Sequence, residues 1–162
     1  MSREYTLSAG GQTVVNAVVT LASIRPGTTC AIEILRAWVS QSANATSNQQ
    51  RVQLVRQAAA LPTVVSQTPR PAKEGDPVSQ IVGGTALAAG TCGINASAEG
   101  AGAKTPIIDD AFNVLNGWLW VATPAETIIL SPGSANVFSL FFPVAALSLS
   151  NWAFGLTYRE LG

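Results

Sequence analysis

The sequence predicts an all-β domain, an antiparallel β-sandwich, from three observations. Eight or nine short apolar stretches are separated by turn signals. Within most of them apolar residues recur at every second position, the period of a strand with one buried face. The third is residues 112–121, FNVLNGWLWV, which carry two of the four tryptophans, Trp118 and Trp120. Phe112, Val114, Trp118 and Trp120 share one face of an extended chain, and Leu115, Leu119 and Val121 share the other. Apolar groups on both faces predict a central strand covered on both sides. Trp118 and Trp120, with Trp38 and Phe154, are therefore the expected anchors of the core.

In chain order, residues 4–9 alternate Tyr5, Leu7 and Ala9 against Glu4, Thr6 and Ser8, and Gly10-Gly11 closes that strand with a tight turn. A Val-rich strand is expected over 12–24, ended by Arg25-Pro26-Gly27. Residues 30–41 predict a long strand with Cys30, Ile32, Ile34 and Trp38 on one face. Residues 49–61 fit two patterns: Leu54, Ala58 and Leu61 lie on a helical face, while 51–57 also alternates as a strand between two β neighbours. A short strand over 63–68 stops at Pro69 and Pro71.

Composition changes over 69–106, which is rich in Pro, Gly, Ala, Ser and Thr. So long a connection within a compact domain predicts a projecting loop or arm outside the core, with one helical turn over 76–82 capped by Asp76. Its few larger apolar groups, Val78, Ile81, Val82, Leu87 and Ile94, are the expected contacts to a partner or neighbour. Strands follow over 127–130, 136–142 and 147–159. The 162 residues thus form a single sandwich, 1–162, with 69–106 inserted in it.

Nine Lys+Arg balance nine Asp+Glu, and charged residues make up 11% of the chain. Zero net charge gives no long-range attraction for nucleic acid, and so little charge predicts self-association. The opening residues lack the apolar core of a signal peptide, and no run reaches the roughly 20 residues of a membrane helix. No membrane partner is expected. Cys30 and Cys92 are expected as reduced, buried thiols.

Chemistry-bearing motifs are few. The chain has no histidine, which excludes Ser-His-Asp and Cys-His catalysis and histidine metal sites. Residues 99–105, EGAGAKT, lack the glycine spacing of a phosphate loop and predict a flexible small-residue loop. Asp109 and Asp110 point to opposite faces of a strand, and Arg51 and Arg56 predict a solvated face or an interface pair. Asn44-Ala45-Thr46 and Asn95-Ala96-Ser97 match the glycosylation triplet and indicate loops. No catalytic, cofactor-binding or metal-binding residue is expected.

LRAWVSQ (35–41), QQRVQLVR (49–56), GINASAEG (93–100), FNVLNGWLWVATPAE (112–126) and the ending GLTYRELG together resemble a group of small tailed-phage head proteins, the capsid decoration or cement proteins. That resemblance implies a jelly-roll-like fold and a structural role on the capsid exterior after assembly in the host cytoplasm. It implies two partners, the major capsid protein and further copies of the chain, as a trimer in preference to a dimer. The alternative is a tail or fibre adhesin module, which requires a pocket where aromatic and acidic side chains meet.

Overall fold

The computed structural model describes residues 3–43 and 46–162, and every regular element among them is a strand. In order these are β1 (Arg3–Gln12), β2 (Val19–Ile24), β3 (Ala31–Gln41), β4 (Gln49–Gln57), β5 (Thr63–Ser66), β6 (Arg70–Pro71) and β7 (Val82–Gly83). β8 (Thr91–Ala98), β9 (Thr105–Asn113), β10 (Trp118–Val121), β11 (Ile128–Leu130), β12 (Val137–Phe142) and β13 (Trp152–Leu161) follow. One sheet runs β10-β3-β13-β1-β6, with β11 also paired to β3. The second runs β5-β8-β2-β12-β4-β9, with β7 parallel to β8.

The pairing is nested. β1 pairs with β13, β2 with β12, β3 with β10 and β11, and β4 with β9. A chain paired in this way is one long hairpin. Rolling it up brings β13 against β3 and β12 against β4, which is the strand order of a jelly roll. Between the sheets lie Tyr5, Leu7, Leu21, Ile24, Ile32, Ile34, Leu54, Phe138, Phe142, Phe154 and Tyr158, all fully buried. Trp152, which was not among the expected anchors, is the one fully buried tryptophan. It packs edge-on against Phe142 at 5.0 Å and Phe112 at 6.4 Å between ring centres.

The hairpin's tip, between β4 and β9, is where β5 to β8 are inserted. Residues 69–106 are not an arm outside the core. β8 lies between β5 and β2 in the second sheet, and Ile81, Leu87 and Ile94 belong to the main core cluster. Ile81 is 1% exposed, while its neighbour Val82 is 52% and Val78 is 83% exposed. β6 meanwhile pairs with β1 at the edge of the first sheet. The insertion therefore bridges both sheets and closes one open side of the sandwich. Its small residues permit close approach, so poverty in large side chains does not exclude it from the core. No helical turn forms over 76–82; Ser79 instead docks on β13.

The crossing segments explain the role of EGAGAKT. Chain leaving β4 runs over the outward side of β12 and β2 to reach β5, and residues 99–104 return beside it. A Cβ on Gly100 would lie 1.6 Å from the Ala60 carbonyl oxygen, and one on Gly102 would lie 1.8 Å from that of Ala59. Only glycine fits at either position. Glu99 fastens the return: it accepts hydrogen bonds from the Thr20 backbone and hydroxyl and pairs with Lys104 at 2.9 Å. Lys104 in turn covers the Phe141 ring at 4.8 Å. That cover is why β2 and β12 are buried along their whole length.

Several further expectations change. Gly10-Gly11 does not end the first strand but sits in a register shift between Ala9 and Gln12, with Gly11 at φ 64°. Residues 13–18 are a connection, and the strand begins at Val19. The 49–61 ambiguity resolves as strand β4. The last strand begins at Trp152, and 143–151 is a loop. Residues 112–121 are not one central strand. The chain leaves β9, turns at 114–117 and enters the other sheet as β10, an edge strand. Trp118 and Trp120 face inward there but are only partly buried. Trp38 faces outward, because a bulge at the Arg36 and Ile34 pairings inverts the parity read from Ile32 and Ile34. Phe154 is a fully buried anchor, as expected.

Candidate functional site

In the rolled hairpin, the described residues of the connections β1–β2 (13–18), β3–β4 (42–43 and 46–48), β9–β10 (114–117) and β12–β13 (143–151) all lie at one end. Backbone hydrogen bonds tie them to one another. Val14 N–H donates to Leu149 O at 2.7 Å, Ser42 N–H to Asn151 O at 3.2 Å, and Val114 N–H to Asn48 O at 3.0 Å. Side chains add further ties. The Gln50 amide donates to Val144 O at 3.4 Å, and the Trp152 indole N–H to Ser148 O at 2.7 Å. The described loop residues are thus held to one another beside the buried Trp152–Phe142–Phe112 cluster, which lowers the ordering cost of binding a partner.

Its composition is unusual for the chain. None of the four connections contains Asp, Glu, Lys or Arg. Among the described residues, thirteen large apolar side chains are exposed, and six of them stand here: Val15, Val18, Leu115, Val144, Leu147 and Leu149. Leu147 is 60% exposed. An uncharged surface that exposes several large apolar side chains is the mark of an interaction surface. Asn44 and Ala45 of the first glycosylation triplet lie outside the described residues, and the second triplet, Asn95-Ala96-Ser97, lies within β8 and not in a loop.

The opposite end is polar. There the inserted segment is held by a hydrogen-bonded chain ending on Glu160, a carboxylate only 4% exposed. Ser79 Oγ–H donates to Glu160 Oε1 at 2.6 Å and accepts from Tyr158 O–H at 2.7 Å. Gln80 N–H donates to the same oxygen at 2.9 Å, and Tyr5 O–H donates to Pro77 O at 3.1 Å. Burial raises the Tyr158 phenol far above its ordinary range. Arg3, Gln80, Glu160 and Gly162 line a cleft of about 270 Å³ beside this network.

A shallower hollow of about 200 Å³ lies over β3 and the turn into β10, lined by Trp38, Ser40, Gly117 and Leu119 among others. The Trp38 ring in it is covered from two sides. The Arg36 guanidinium stacks 5.0 Å from its centre, and a Cβ on Gly155 would meet it at 2.4 Å.

Of the five expected contact residues, Val78 and Val82 are exposed, and Ile81, Leu87 and Ile94 are core. Asp109 pairs with Arg51 at 2.7 Å. Hydrogen bonds from Gln53 and Arg51 hold its carboxyl below the usual range. Asp110 accepts the Trp118 indole N–H at 2.9 Å, joining the edges of the two sheets. Arg56 donates to Ile129 O at 3.4 Å. Cys30 and Cys92 are buried and unpaired, and burial pushes the Cys92 thiol up to about 12. Among the described residues, no group of three or more His, Cys, Asp and Glu side chains gathers to hold a metal, and no helix is long and apolar enough to cross a membrane. The loop end escaped the sequence because its four pieces lie far apart in the chain. Its available signal was that each piece lacks charge. Compared with protein-family models, curated proteins and solved structures, the chain gives no match.

Proposed function

We propose that this chain is a structural virion protein, a decoration protein that binds the outside of a tailed-phage capsid and reinforces the shell. The observation that carries the proposal is the uncharged apolar loop end, its described residues tied together by backbone hydrogen bonds. Its chemistry suits a lasting contact with another protein and offers no reacting group. The jelly-roll strand order and the resemblance of residues 35–41, 49–56, 93–100 and 112–126 to phage head proteins support the same conclusion. Attachment passes to the loop end, because the 69–106 segment is fastened into the chain's own core through Ile81, Leu87 and Ile94. An adhesin needs an open aromatic platform beside acids, and the one outward tryptophan hollow has its ring already covered by Arg36 and Gly155.

Binding to expanded, undecorated heads tests the proposal. Leu147→Asp combined with Leu115→Asp is expected to weaken binding by about tenfold or more, at least about 1.4 kcal/mol. Both side chains are exposed, so the melting temperature should hold. Because the loop end carries no charge, wild-type binding should change little as salt rises. Wild-type protein that ignores heads, or that labels tails or fibres instead, would refute the proposal.

A further inference from the structure

We infer that β10 is a dimerisation edge, at which a second copy of this chain adds its own β10 antiparallel and continues the first sheet across a two-fold axis. The inference rests on the fold alone and not on the virion proposal. It begins from a conflict. Trp118-Leu119-Trp120-Val121 is apolar on both faces, the pattern of a strand covered on both sides. The fold nonetheless leaves it at a sheet edge, with Leu119 63% and Val121 56% exposed. Inward Trp118 and Trp120 are explained by the chain's own core; outward Leu119 and Val121 are not.

The other edges are protected in the ways sheet proteins use. β6 is two residues long and contains Pro71, and β7 is two residues; β5, as long as β10, has its Val64 N–H taken by Thr85 O at 2.9 Å. β9 is nine residues long but carries Pro106, Asp109 and Asp110. β11, beside β10 on β3, has its Ile129 carbonyl capped by Arg56. β10 has neither charge nor proline, and its connections on both sides are uncharged through Ala125. An unpaired row of backbone donors and acceptors with apolar side chains on both faces is complementary to a copy of itself.

A two-fold axis normal to the sheet keeps the outward face outward in both copies. Centred on Trp120, it sets Leu119 of one molecule opposite Val121 of the other, so the exposed pair covers itself. Two edges paired this way use each other up, and the assembly closes at two.

Sedimentation and light scattering at micromolar concentration test this. Wild-type protein is expected as a dimer. Leu119→Lys with Val121→Lys places lysines opposite one another across the axis and should raise the dimer dissociation constant by about tenfold or more. The melting temperature of the monomer should hold, since both positions are exposed. Val78→Lys, on another surface, and Leu147→Asp, at the loop end, should leave the dimer intact. Hydrogen exchange should slow at the β10 amides as concentration rises. A wild-type monomer, a trimer, or a dimer unchanged by the double lysine substitution overturns the inference. So does a dimer lost on Leu147→Asp, which would move the contact to the loop end.

Discussion

Replacing Ile81 by alanine separates a segment built into the core from one merely attached to it. Ile81 is 1% exposed and belongs to the main core cluster. Its Ser79 neighbour anchors the segment on Glu160 and Tyr158. The substitution removes three carbons, and at about 0.8 kcal/mol per buried methylene the transfer loss is about 2.4 kcal/mol. The cavity left behind brings the total to roughly 3–4 kcal/mol. For a domain of this size each kcal/mol lowers the melting temperature by about 2–4 °C. Val82→Ala, one residue on and 52% exposed, should cost less than about 1 kcal/mol. Urea titrations of both variants beside wild type give the comparison directly. A loss for Ile81→Ala below about 1 kcal/mol, or equal losses for the two variants, would mean that the segment is a detachable arm.

Three other outcomes are expected. Gly100→Ala puts a Cβ onto the Ala60 carbonyl oxygen and should cost about 1–3 kcal/mol by overpacking; a melting curve matching wild type would refute the close crossing. Trp118→Phe removes the indole donor to Asp110 and, at a partly buried edge, should cost about 1 kcal/mol, with a smaller loss when Asp110 is already alanine; equal losses in both backgrounds would rule out the bond. Alkaline pH should destabilise the fold, because the Cys92 thiol is raised from 9.0 to about 12 by burial and the Tyr158 phenol is raised as well. A raised value contributes stability that is complete below the unfolded value and lost as pH climbs toward the folded one. Denaturation midpoints should therefore fall as pH rises above about 9, and Cys92→Ala should flatten part of that slope; a flat profile would contradict the burial.

The strand class of this protein was written in its local pattern. Period-two alternation placed Tyr5 and Leu7 inward on β1, because side-chain direction in a strand depends only on parity. Turn chemistry at Arg25-Pro26-Gly27 likewise separated strands correctly. What parity cannot carry is which strand lies beside which, and whether a face finds a partner. One bulge turned Trp38 outward. The crossing of the chain between sheets left Trp118 and Trp120 at an edge, and Trp152, not either of them, took the centre. The small residues of 69–106 looked unable to support a core because their partners, Ala59, Ala60, Tyr158 and Glu160, are distant in sequence. The loop end is non-local in the same way: four uncharged connections become one surface only when the hairpin rolls up and brings their ends together.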